Sequence, residues 1–143
     1  MKTFPMKLKK KLEGAYAVHD FALFRNRLIK QGKSAEEIEE FNKKFPKPKH
    51  PVVRTHPDTG KKSIYVNVAF TTHINGFSDE DSRLMLNYLY NQATIPEYQC
   101  RFKWEENSIA FWVNRSYQHY ATGDYWPAVR IVERVTVIGD KPV

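Results

Sequence analysis

Disulfides, membrane-crossing helices and internal repeats are three things this 143-residue sequence does without. It has a single cysteine, Cys100, so no disulfide can form within the chain. That excludes a disulfide-stapled scaffold and makes a reducing cytoplasm the natural compartment. No stretch approaches the roughly 18 consecutive apolar residues that a spanning helix needs, so no membrane partner is expected. The opening residues, MKTFPMKLKKKLEG, carry charge but no apolar centre and do not read as a secretory signal. No low-complexity tract interrupts the chain.

What is present suits a single globular domain, residues 1–143, long enough to bury a core without staples. Apolar residues make up 41% and charged residues 27%, which is ordinary. Aromatics reach 14%, favouring a sheet-rich or pocketed fold over a plain helical bundle. The net charge of +7 is unevenly placed. Residues 1–50 hold 13 of the 23 Lys/Arg and 6 of the 16 Asp/Glu, so the remainder balances to zero. A nucleic-acid function would rest on that first third alone, chiefly on the lysines of Lys7–Lys11. A lysine run is more commonly a solvated helix face, and no nucleic-acid partner is expected.

Residues 1–49 read as a helical lead-in. Leu8, Leu12, Ala15, Val18 and Ala22 recur at roughly helical spacing up to Gln31, with Gly14 as a local weakness. SAEEIEEFNKKF reads as a short helix, with Ser34 and Glu37 as a capping box, acids early and lysines late. PKPKHP ends helical structure. Residues 50–143 read as strands with one helix. HPVVRTH and KKSIYVNVAF flank the turn PDTG as a hairpin. FSDEDSRLMLNYLYNQAT is a helix capped by Ser78, with apolar faces from Leu84, Leu86, Tyr88 and Leu89. YQCRFKWE, SIAFWVNR and RIVERVTVIGD are expected strands. Because helices and strands are segregated, the expected class is α+β, mainly β, with an antiparallel sheet or barrel.

The segment NRSYQHYATGDYWPAVRIVERVTVIGD sets one histidine, His119, among aromatics and two arginines, Arg130 and Arg134, in an apolar strand-like run. On a strand, alternation puts Arg130, Val132, Arg134 and Thr136 on one face, the arginines about 13 Å apart. Two guanidinium groups on an inner face would call for an anion, and a carboxylate offers bidentate geometry. Two arginines on a strand also describe a solvated face, and a lone histidine also describes a hydrogen-bonded structural residue.

FWVNRSYQHYATGDYWPAVRIVERVTVIGDKP and HPVVRTHPDTGKKSIYVNVAFTTHINGFS together resemble the C-terminal part of taurine-dioxygenase-like Fe(II)/2-oxoglutarate-dependent oxygenases. LEGAYAVHDF is similar to the helix placed upstream of that hairpin in the family. The resemblance runs from about Phe4 to the C-terminus. It implies a partial double-stranded β-helix, or jelly-roll, with flanking helices. It implies that His119 is the distal iron histidine and that Arg130 pairs with the distal carboxylate of 2-oxoglutarate. It also implies that Arg134 binds an anionic substrate head group and that Phe70, in AFTTH, lines the substrate pocket.

The family's other two iron ligands lie in a His-x-Asp or His-x-Glu motif on an earlier strand, which this sequence is expected to lack. The literal match His56-Pro57-Asp58 reads as a decoy, because proline interrupts a sheet ladder and PDTG explains Asp58 as a turn residue. His19-Asp20 has the wrong spacing, His50 reads as structural, and His73 lies near the pocket without matching a ligand. Val113 stands where the family typically carries aspartate. An incomplete chain, the C-terminal portion of a dioxygenase, is therefore expected. By itself it would be inactive and would hold Fe(II) weakly, since one imidazole without a carboxylate is a poor ferrous site. Its expected chemistry in an intact enzyme is hydroxylation of a small anionic, sulfonate-like substrate. The alternative is a non-catalytic anion-binding or interaction module. A homo-oligomer is expected to cover strand edges that a partial jelly-roll would expose.

Overall fold

A computed structural model describes residues 6–143. The elements run α1 (Met6–Leu12), β1 (Tyr16–His19), α2 (Ala22–Lys30), α3 (Ala35–Lys44), β2 (Lys49–Pro51), β3 (Val53–Thr55), β4 (Lys62–Ile64), β5 (Thr71–Ile74) and α4 (Asp79–Gln92), with a final 3-10 turn at Pro96–Tyr98. β1 is the middle strand of a three-stranded antiparallel sheet ordered β2-β1-β5, and β3 and β4 form a separate hairpin. The class is α+β, but not mainly β. Four helices of 7, 9, 10 and 14 residues outweigh strands of three or four. No barrel closes among the described residues.

Capping rules written into the sequence are met in α3. The Ser34 hydroxyl accepts from Glu37 N (3.2 Å), the Glu37 carboxylate accepts from Ser34 N (2.8 Å), and Lys33 pairs with that carboxylate at 2.7 Å. Ser78 caps α4 by accepting from Asp81 N at 3.1 Å. The buried stripe of α4 is Ser82, Met85, Leu86 and Leu89, the i, i+3, i+4, i+7 set that faces β5. Leu84 is 54% exposed and so is not part of the buried face expected for it. Leu12, Ala17, Val52, Val66 and Ile74 complete the core with those α4 side chains.

The helical reading of Leu8–Gln31 is corrected. Gly14, at φ +71°, ends α1 and turns the chain into β1, which lies inside the expected lead-in. Ala17 and Val18 then pair with β2 on one side and β5 on the other, a non-local gain that overrides helical spacing. Asp20, just after β1, is buried and held by a bidentate pair to Arg25 (2.8 and 2.7 Å) and by Lys47 at 3.2 Å.

The three C-terminal strands are also corrected: residues 100–143 form no strand or helix. Strand backbone needs a partner ladder, and none of these segments finds one among the described residues. Ile109, Phe111, Val135 and Ile138 are each at least 89% exposed. The segment is tied to the sheets at a few points. Thr55 N donates to Val143 O (2.9 Å), Gln118 Nε2 donates to Val66 O (2.9 Å), and Arg115 lies 3.5 Å from Asp58.

Ser82 Oγ accepts from the buried Ile74 N–H at 2.8 Å. Ser82→Ala is expected to lower stability by about 1–3 kcal/mol by orphaning that donor, as read from urea denaturation. Hydrogen bonding from Arg25 holds the Asp20 carboxyl below its ordinary value, against the opposing effect of burial. Its contribution is therefore complete above the ordinary carboxylate range and lost as pH falls through it and below. Asp20→Asn is expected to cost about 2 kcal/mol at neutral pH and to flatten the acid limb of a stability-against-pH series.

Candidate functional site

The residues that the sequence singled out do not converge on one centre. Phe70 is set by an Asn67 turn. Asn67 Oδ1 accepts from Ala69 N (3.1 Å) and Phe70 N (2.9 Å), and the Thr71 hydroxyl accepts from Asn67 N (3.0 Å). The Phe70 ring packs 4.8 Å from Phe21 and stacks at 6.1 Å on Phe24. Phe21 in turn packs on Phe45 at 4.7 Å, and Phe45 on Phe41 at 4.8 Å. Phe70 therefore belongs to an aromatic cluster joining β5 to α2 and α3.

His119 is exposed, its ring 5.1 Å from Trp112. Arg130 is half-buried, its guanidinium 5.6 Å from the Trp104 ring centroid and 5.8 Å from that of Tyr125. Its Nε is buried without a hydrogen-bond partner. Arg130 lines a cleft of about 410 Å³ together with Trp104, Glu105, Ser108 and Val132. Arg134 is exposed. The expected alternation of Arg130 and Arg134 on one strand face is not realised, because the strand itself is not formed. Among the described residues no group of three His, Cys, Asp or Glu could hold a metal ion. These residues alone do not fit Fe(II). The orphaned Arg130 Nε, in contrast, is a donor with room for an anionic acceptor such as a carboxylate.

A second set of polar side chains was missed in the sequence. Arg54, in the middle of β3, is only 2% exposed and stacks 5.2 Å from the Tyr65 ring centroid. His19 and His50 sit edge to face at 4.9 Å, and both flank the same tyrosine, at 6.0 and 5.7 Å. His19 Nε2 lies 3.3 Å from Thr71 Oγ1, whereas His50 Nδ1 and Arg54 Nε are buried without partners. Burial first, then neighbouring His50, pushes the His19 pKa down to about 4. Burial, then Arg54 and Lys141, lowers that of His50. One signal was available in the sequence: Val52 and Arg54 are two apart on a strand and so share a face, and Val52 is a natural core residue.

His73 lies in a shallower cleft of about 320 Å³ between β5 and α4, beside Thr72, Arg83 and Tyr90. His56 and Asp58 stay at the hairpin turn, 3.7 Å apart, with Asp58 exposed. No described helix is long and apolar enough to cross a membrane.

Comparison with known proteins matches residues 2–136 to the family described as taurine catabolism dioxygenase TauD, TfdA family. An alkylsulfatase of Acinetobacter baylyi is 42% identical over 78% of this chain and 36% of its own length. An alpha-ketoglutarate-dependent sulfate ester dioxygenase of Pseudomonas putida is 42% identical over 66% of this chain and 31% of its own. The crystal structure of a taurine dioxygenase from Burkholderia xenovorans superposes with a TM-score of 0.61 at 31% identity, covering 80% of this chain and 34% of that one. The chain thus spans about a third of the length of these relatives. With the family match covering nearly all of its residues, the chain belongs to the TauD, TfdA family of dioxygenases.

Proposed function

We propose that this chain contributes the C-terminal part of the active site of an Fe(II)/2-oxoglutarate-dependent dioxygenase. In this reading the enzyme hydroxylates a small anionic substrate, a sulfonate or sulfate ester, and residues 1–143 form one domain of jelly-roll ancestry. His119 would be one iron ligand. Arg130 would pair with the distal carboxylate of 2-oxoglutarate, Arg134 would bind the substrate's anionic head group, and Phe70 would line the substrate pocket. The bound iron and cosubstrate would supply oxidation; this chain's residues bind, orient and exclude water.

The observation that carries the reading is Arg130. Its guanidinium lies 5.6 and 5.8 Å from two aromatic rings, Trp104 and Tyr125, at a cleft, and its buried Nε lacks an acceptor. A carboxylate arriving there completes the hydrogen bonding of a cation whose burial is otherwise costly. The relatives act on sulfate esters by their names, which favours an oxyanion for the substrate arginine. The alternative, an anion-binding module without catalysis, is favoured by one fact: no metal-holding group of three exists among the described residues.

Calorimetry with 2-oxoglutarate in the presence of a chelator addresses the cosubstrate role. Metal-independent binding is expected, weakened at least about tenfold in Arg130→Ala, the loss of one charge-assisted pair. Equal affinity in the variant would remove Arg130 from this role. Fe(II) added to an intact form of the enzyme then separates the two readings: succinate formed in step with a sulfate-ester substrate and lost in His119→Ala favours the dioxygenase, and unchanged 2-oxoglutarate in that intact form favours the module.

The apolar side chains left exposed between residues 98 and 138 support self-association as well. Light scattering above micromolar concentration is expected to give a mass of at least two chains; a monomer throughout that range would count against it.

A further inference from the structure

Arg54 presents a problem of charge that the proposed dioxygenase site does not touch. It is 2% exposed, and its Nε is buried without a hydrogen-bond partner. Its guanidinium packs over the face of Tyr65. A ring face offsets little of the solvation that a buried guanidinium gives up.

The surroundings supply no negative charge: burial favours the neutral form of both nearby imidazoles, and the other charge that bears on His50 is a lysine. His50 places a second buried, unpaired ring nitrogen beside the same tyrosine. His19 closes the other side of His50, and Lys141 is near enough to bear on the His50 ring. Three described acids have other partners: Asp20 is taken up by Arg25 and Lys47, Asp58 by His56 and Arg115 at the hairpin turn, and Glu13 by Lys62. Val143, at the end of the chain, meets the neighbouring Thr55 N–H through its O at 2.9 Å, and no ion pair joins it to Arg54. Two adjacent imidazoles alone would suggest a metal ion. A buried guanidinium beside them argues against a cation and for an anion.

We propose that Arg54, with His50 Nδ1, is a carboxylate-binding site enclosed between the β2-β1-β5 sheet and the β3-β4 hairpin. It would be separate from Arg130 and independent of the cosubstrate role given to Arg130. A carboxylate fits for geometric reasons. Its two oxygens can accept from Nε and a terminal guanidinium nitrogen in parallel while remaining in reach of an imidazole N–H. The same group can come from a free small acid or from an acidic side chain of a second copy of this chain.

Acetate is the probe, with sodium chloride at equal ionic strength as the control. Acetate at about a hundred times its dissociation constant is expected to raise the thermal midpoint of the chain by several degrees, beyond any effect of chloride. Arg130→Ala should retain this response, and Arg54→Met should lose it. In chloride, Arg54→Met should be at least as stable as the parent, because it removes an unpaired buried charge. Should Arg54→Met fail to fold, the parent chain alone suffices: acetate should shift the His50 ring resonances in NMR while leaving those of exposed His119 in place. A response that fades as protein concentration rises identifies a second copy as the competing source, and one independent of concentration identifies a free acid. No acetate-specific change in midpoint or His50 resonance, or a response that survives Arg54→Met, overturns the proposal.

Discussion

Two sheets meet at Val52, and the arrangement of everything else follows from that junction. Its N–H donates to Ala15 O (2.9 Å), tying it to the entry of β1, and its C=O accepts from Tyr65 N (2.8 Å), tying it to the exit of β4. Its side chain is fully buried among Leu12, Val66 and Ile74. Val52 therefore lies between the end of β2 and the start of the hairpin and fills the core there. Since a buried peptide group must be paired on both sides, neither sheet can slide without breaking the other's bonds. The junction also fixes which side chains turn inward. Arg54, two residues on and in the middle of β3, is buried as well, so the hairpin that starts here takes a guanidinium out of solvent.

What could be read in the sequence follows the range of the interactions involved. The Ser34–Glu37 capping box, the Ser78 cap and the PDTG hairpin depend on residues within a few positions of one another, and each is found where the sequence put it. β1 depends on partners more than thirty positions away, in β2 and β5, and a run of helical spacing concealed it. The three C-terminal segments have the composition of strands, but composition supplies only one side of a ladder. RIVERVTVIGD finds no second side among the described residues and leaves both of its expected faces largely in solvent: Val132 is 53% and Val135 92% exposed.

The same distinction explains the sites. The family was legible through a likeness of whole motifs, and the match over residues 2–136 bears that out; His119, Arg130, Arg134 and Phe70 were singled out by the same likeness. Their convergence was not legible, because it depends on strand pairing that these residues do not make here. Phe70 shows the consequence: it is held by Asn67 and by the rings of Phe21 and Phe24, and Phe21 packs in turn on Phe45. Arg54 was the reverse case. In VVRTH it is an unremarked cation on a hairpin strand, and only burial turns it into a residue that requires a partner.

Arg130 and Arg54 carry the same chemical deficit in two settings. Each has a buried Nε without an acceptor, and each lies against aromatic rings. Arg130 borders an open cleft beside Glu105, where solvent screens the charge and a ligand can enter without rearranging the sheets. Arg54 is enclosed by the Val52 junction, so screening is weak and any anion must displace packing to arrive. The open site suits a cosubstrate that must come and go, and the enclosed one suits an anion that stays and supports the fold. The difference between exchange and retention thus follows from where two similar guanidiniums sit relative to one buried valine.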